Sequence, residues 1–159
     1  MVGHPGICYM RTTRMDTEPI YELSEEFKIG GSKVLRNSGE DKIAVVSAGV
    51  TLYEALNAYE ELKKENIIIR VIDAYSVKPI DKETLKKAAK ETNAIITVED
   101  HFAQGGLGDS VLEALAGVEI PIFKLAVTKM PRSGKPEELL EYEGISAKAI
   151  IEKVKEVLN

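Results

Sequence analysis

From residue 43 onward, short aliphatic runs alternate with amphipathic stretches. No other feature of this 159-residue chain constrains its fold as strongly. Ile43–Ser47 is a β-branched run closed by Ala48-Gly49. Leu52, Ala55, Leu56, Tyr59 and Leu62 then recur at helical spacing, ending near Asn66. Thr51 and Glu54, three residues apart, have the pattern of a capping box. Ile67–Ile72 is an almost continuous apolar run, as expected of a parallel strand covered on both faces. Pro79 and Asp81 open a second helix with Leu85, Ala88 and Ala89 inward. Ala94–Val98 reads as the next strand and residues near 106–116 as the next helix. Ile120–Val127 reads as the last strand, with Pro121 tolerated near its start. Ser146 caps a final helix whose inward residues are Ile150, Ile151, Val154, Val157 and Leu158. Crossovers of this length impose parallel pairing and right-handed connections. The expected product is an α/β fold, a three-layer α/β/α sandwich.

Two stretches break the rhythm. Residues 1–36 hold a strand-like segment, Ile7–Thr12, and a second, Lys28–Leu35, separated by a polar loop. Lys129–Tyr142 reads as a loop rich in proline, glycine and charge. The apolar segment Gly6-Ile7-Cys8-Tyr9-Met10 needs strand partners that nothing before it supplies, so the chain is expected to be part of something larger. The length suits one domain, large enough to bury roughly 70% of its unfolded surface. A net charge of −5 argues against a general nucleic-acid or membrane-surface binder. No run approaches the roughly 18 apolar residues of a membrane span, and the first residues lack the regions of a signal peptide. The single cysteine, Cys8, cannot close an internal disulfide, and its apolar neighbours suggest a buried thiol. A cytoplasmic location is the simplest expectation.

The densest chemistry lies in Val98-Glu99-Asp100-His101 and the glycine turn after it. In open α/β sheets, ligands gather where strand carboxyl ends meet helix N-termini. Glu99, Asp100 and His101 are candidates for general acid/base work, with strand-end capping the more ordinary alternative. Gly105 and Gly106, with Leu107-Gly108, could admit an anion to backbone amides, although a tight turn is the simpler explanation of them. With Glu99 and His101 they form a candidate anion or interface site. His4 and His101 are the only histidines and no metal-ligand spacing is present, so no metal site is expected. Ser133-Gly134-Lys135 is not a P-loop, because Lys129 stands where the first glycine belongs and Pro136 follows the lysine. The trio Lys129, Arg132 and Lys135 reads as a docking or solvated surface. Arg11 and Arg14, at the end of an apolar segment, suit a phosphate or carboxylate or an ordinary surface ion pair.

Five segments taken together resemble one family. They are Gly6–Arg14 (GICYMRTTR), Ala48–Leu56 (AGVTLYEAL), Ile69–Asp81 (IRVIDAYSVKPID), Val98–His101 with its Gly-Gly-Leu-Gly turn, and Pro131–Leu140 (PRSGKPEELL). In order and spacing they resemble the C-terminal part of transketolase, and the last is the most specific. The beta subunits of 2-oxo-acid dehydrogenases share the Asp-x-x-x-x-x-Pro-x-Asp region but do not usually carry Pro-Arg-Ser-Gly-Lys-Pro. The resemblance implies ketol transfer between ketose and aldose phosphates, the chemistry of the pentose phosphate pathway, with thiamine diphosphate and Mg²⁺ in the complete enzyme. The family's Gly-Asp-Gly diphosphate motif is missing here, and its activating glutamate would lie upstream of residue 1. The resemblance therefore implies residues 1–25 as the tail of the pyrimidine-binding domain and 26–159 as the C-terminal domain. It implies no catalytic or cofactor-binding residue in this chain, no cofactor bound to it alone, and N-terminal transketolase domains as partners in a homo-oligomer. The one substrate residue it carries over is Arg14, matching the Ser/Thr-Arg motif that grips the sugar phosphate. It further implies a mostly parallel five-stranded sheet with one antiparallel strand, near Lys28–Leu35. The competing reading is a stand-alone docking or regulatory module with an anion site at the Gly105–Gly108 helix start.

Overall fold

A computed structural model describes residues 3–13 and 16–159. The strands are β1 (Lys33–Arg36), β2 (Ile43–Ser47), β3 (Arg70–Asp73), β4 (Ala94–Phe102) and β5 (Ile122–Val127). The helices are α1 (Val50–Lys64), α2 (Lys82–Glu91), α3 (Leu107–Ala114), α4 (Pro136–Glu143) and α5 (Ala147–Leu158). The sheet runs β1-β3-β2-β4-β5. All neighbours are parallel except β1, which lies antiparallel to β3 with Lys33 opposite Asp73. The antiparallel strand is thus the one outside the β-α alternation, as its position predicts.

Strand periodicity divides the core into two layers. Ile43, Val45, Val71, Ile96 and Val98 face α1 and α5, where Leu52, Ala55, Ile150 and Val154 close over them. Ala44, Val46, Ile72 and Ile95 face α2 and α3, against Leu85, Ala88, Leu107 and Val111. At the amino-terminal edge of the sheet, Arg70 is buried within β3. It donates to Asp41 and Glu91, each at 2.6 Å, which is how a buried guanidinium is tolerated. Burial pushes the Asp41 carboxyl up, but the Ser38 amide and the Arg70 guanidinium outweigh it and hold it below its ordinary value.

Several local expectations are corrected. Ile7–Thr12 is not a strand; Ile7 and Tyr9 are exposed, and so is Cys8, because no neighbouring strand covers this segment among the described residues. The Thr51/Glu54 capping box does not form. Gly49 is the N-cap of α1, and Thr51 lies inside the helix with its hydroxyl 2.8 Å from the Val98 carbonyl. Glu54 instead accepts the Ala147 amide at 2.7 Å and so caps α5. The Lys129–Tyr142 stretch is half helical, since Pro136 fits the first turn of α4 and Gly144, at φ 72°, ends it. Asp81 and Ser146 do cap α2 and α5.

Candidate functional site

The sheet order reverses at β2: the chain leaves through α1 to β3 on one side and returns through α2 to β4 on the other. A crevice at such a point, beyond the strand carboxyl ends, is where open α/β sheets take ligands. Here the crevice is a cleft of about 490 Å³ bounded by Gly49 and Val50 at the start of α1, by Asp73 ending β3, and by Asp100. The amino-terminal segment forms its other wall through Arg11, Thr12 and Thr13, with Thr17 and Tyr21 beyond.

The structure separates the three consecutive ionisable residues. β4 continues past Val98 to Phe102, so Glu99, Asp100 and His101 belong to a strand rather than to a loop. Successive side chains on a strand point to opposite faces. Glu99 turns under α3, where it is 4% exposed. Its carboxylate accepts the Leu107 amide at 2.6 Å and the Gly108 amide at 2.9 Å. Asp100, on the other face, lines the cleft in front of α1. His101 is exposed, with Nδ1 2.8 Å from the Phe102 carbonyl and 4.0 Å from Glu99 Oε2. A joint acid/base group of these three residues is therefore not assembled.

The glycine turn holds an anion, and that anion is the chain's own Glu99. A helix start offers free amides and a positive dipole end, and a carboxylate supplied from β4 satisfies both. Gly106 is required for space, since a Cβ there would fall 1.8 Å from Glu99 Oε2 and 2.9 Å from His101 Nδ1. Gly105, at φ 75°, donates its amide to Asp109 at 2.6 Å. Asp109 also takes Lys124 Nζ at 2.7 Å. The Lys124 ammonium, and then the Gly105 amide, hold the Asp109 carboxyl below its ordinary value.

Two residues that sequence reasoning did not single out shape the α1 cleft. The Tyr21 hydroxyl donates to Asp73 Oδ2 at 2.6 Å. Asp73 is 4% exposed, and burial raises its pKa, with the Tyr21 hydrogen bond and the Lys33 charge opposing. Burial and the hydrogen bond to Asp73 likewise raise Tyr21. The available signal was an aspartate ending an almost wholly apolar strand, a position that demands a partner.

Arg14, carried over as the substrate residue, lies outside the described residues. Arg11, Thr12 and Thr13, which precede it in the chain, line the cleft. Among the basic trio, Lys129 Nζ and the Arg132 guanidinium lie 4.6 and 4.3 Å from the centroid of the Tyr142 ring, and all three basic residues are exposed. Among the described residues no group of His, Cys, Asp and Glu is arranged to hold a metal ion, and no helix is long and apolar enough to cross a membrane.

Residues 32–150 match the family model for the transketolase C-terminal domain. Transketolase-like protein 2 of Mus musculus is 51% identical over 96% of this chain and 25% of its own length. Transketolase of Homo sapiens is 45% identical over 97% of this chain and 25% of its own length. The chain thus spans about a quarter of the curated relatives it matches. Among solved structures, a split gene transketolase in an inactive beta4 tetramer superposes with a TM-score of 0.78 at 34% identity, covering 87% of this chain and 45% of that one. Transketolase of Campylobacter jejuni subsp. jejuni NCTC 11168, at 16% identity and a TM-score of 0.61, shares the fold over 88% of this chain and 20% of its own. The family match takes in both layers of the core and the whole sheet: this chain belongs to the transketolase family, as its C-terminal domain.

Proposed function

We propose that this chain is the C-terminal portion of a transketolase, working with N-terminal domains that hold thiamine diphosphate and Mg²⁺. The complete enzyme would move a two-carbon ketol unit between ketose and aldose phosphates, in the cytoplasm, as a homo-oligomer. One observation carries the reading: identity of 45–51% to transketolases and their like runs over 94–97% of the chain. The exposed apolar side chains of Ile7, Tyr9 and Met10 suit a surface that those domains cover. When bound, the cofactor supplies the carbanion chemistry of the transfer. The Gly-Asp-Gly motif that would cradle its diphosphate is missing from this sequence, so no step is routed through this chain. Its own assigned task is contact with the substrate phosphate through Arg14, together with assembly.

The test is reconstitution. The chain is co-expressed with a matching N-terminal polypeptide and assayed with thiamine diphosphate and Mg²⁺. Ketol transfer by the pair and none by the chain alone is the expected result; turnover by the chain alone overturns the reading. In the pair, Arg14→Ala should raise KM for phosphorylated sugars about 10- to 100-fold, the size of one charge-assisted contact. Unphosphorylated acceptors should be unaffected, and an equal effect on both classes removes the phosphate role.

A further inference from the structure

Two polar groups without a full set of partners lie side by side at the floor of the α1 cleft. Ser47 Oγ is fully buried and has no hydrogen-bond partner among the described residues. In the parallel pairing of β2 with β3, Ser47 stands opposite Asp73. Both alternate with residues that face α1, so their side chains share that face of the sheet. Asp73 is 4% exposed and lines the cleft. Its Oδ2 takes the Tyr21 hydroxyl, and among the described residues its Oδ1 accepts no hydrogen bond. Just beyond Ser47, Gly49 turns the chain into α1 at φ 63°, with open space where a Cβ would stand. The Leu52 amide is already bonded to the Gly49 carbonyl, which leaves the amides of Val50 and Thr51 at the mouth of the helix.

This order of elements is that of a unit that binds ribose and phosphate. Strand, glycine turn, helix and parallel strand follow one another, and an acidic residue ends the second strand about 20 residues beyond the glycine. In such a unit the helix amides take the phosphate and the acid takes ribose hydroxyls. The cleft also offers an apolar wall. The Tyr53 and Tyr75 rings line it, and both are held: Tyr53 donates to the Glu18 carbonyl at 2.8 Å, and Tyr75 meets the Phe27 ring edge-on at 4.9 Å. Arg11 on the opposite wall adds positive charge. A volume of about 490 Å³ falls within the usual range of ligand pockets.

We propose that the α1 cleft is a binding site for a nucleoside 5′-monophosphate. The Val50 and Thr51 amides hold the phosphate, Asp73 Oδ1 holds the ribose hydroxyls, and the tyrosine rings cover the base. The site goes beyond ketol transfer and does not depend on it. A bare anion fits less well, because the carboxyl groups of Asp73 and Asp100 face it across the same cleft. A sugar phosphate leaves the aromatic wall in water. A dinucleotide fits less well too, since the turn has one glycine where a pyrophosphate needs a second for close backbone approach.

The chain itself is titrated with the four common nucleoside 5′-monophosphates, by calorimetry and by amide NMR. Inorganic phosphate, ribose 5-phosphate and the matching nucleosides are the controls. At least one monophosphate should bind about 10-fold more tightly than every control, and should shift the amides of Val50, Thr51 and Asp73. Its 2′,3′-dideoxy analogue should bind about 10-fold more weakly, the size of one hydrogen bond to a charged group. Val50→Glu places a carboxylate in the first turn and should weaken the monophosphate about 10-fold while leaving the nucleoside unchanged. Val50→Gln, the neutral counterpart, should stay within about threefold of wild type. Four results overturn the proposal: no monophosphate bound at millimolar concentration, ribose 5-phosphate or phosphate bound as tightly, a dideoxy analogue bound equally well, or shifts confined to another surface.

Discussion

Two helix starts lie at the same carboxyl-terminal edge of the sheet, on opposite faces, and the chain treats them in opposite ways. At α3 the amides of Leu107 and Gly108 are filled from within by Glu99, and Lys124 and Asp109 tie down the loop in front of them. At α1, among the described residues, no side chain caps the helix, its first turn carries no acidic residue, and a cleft opens before Gly49 and Val50. The glycine-rich appearance of the α3 turn, which invites a ligand on paper, belongs to the closed site. The open site is announced only by Ala48-Gly49 after a short strand. Glycine content therefore reports close packing as readily as access, and only the partner of the helix amides tells the two apart.

Removing that partner should have the largest effect. Glu99→Ala leaves two buried amides without an acceptor, and the chain should lose about 3–5 kcal/mol in urea denaturation. A loss under about 1 kcal/mol would mean that α3 does not depend on internal capping, and the contrast between the two starts would collapse. The glycines give the next largest effect, for different reasons at each end. Gly106→Ala inserts a methyl into Glu99 and should cost about 2–3 kcal/mol, whereas Gly49 has open space around it but sits at φ 63°, so Gly49→Ala should cost about 1 kcal/mol. Equal costs, or the reverse order, would contradict the assignment of space to one and backbone freedom to the other.

The smallest effect is the pH response, and its sign differs between the two ends. Asp109 has a lowered pKa when folded, so what it contributes is present above its ordinary value of 3.8 and lost as pH falls through the folded value. Asp73 has a raised one, so its contribution is present below 3.8 and lost as pH rises through the folded value. Urea denaturation from pH 6 toward 3 should therefore show Asp109→Asn removing a loss of stability on acidification and Asp73→Asn removing a gain. Parallel responses would show that one of the two carboxyl groups is not coupled to folding.

Much of the scaffold was readable because the relevant signals are local. Apolar runs marked β2 to β5, Asp81 and Ser146 marked helix starts, and the strand outside the alternation was the antiparallel one. What escaped depends on distant partners. Thr51 and Glu54 look like a capping pair, but the one is drawn to the Val98 carbonyl and the other to the Ala147 amide. The rise in polarity after Val98 suggests a strand end, yet β4 runs on and meets β5 again at Phe102, beyond an irregularity in the register. Of the candidate site, the residues around Glu99 are legible from their chemistry, but the alternation that sends Asp100 into a different crevice depends on β4 continuing past Val98. Tyr21 and Asp73 stayed hidden because 52 residues separate them. Pro136 with Glu137 and Glu138 did carry the start of α4, and proline-rich composition masked it.

The Glu54–Ala147 capping contact bears on how the domain is made. α1 emerges well before α5, but its buried face is completed by Ile150 and Val154, both 0% exposed, and Glu54 has no amide to cap until residue 147 exists. A ribosome delivering this chain from its amino end therefore holds an unfinished core until α5 has emerged. Closure of the α1/α5 layer is a late, long-range event that waits for α5.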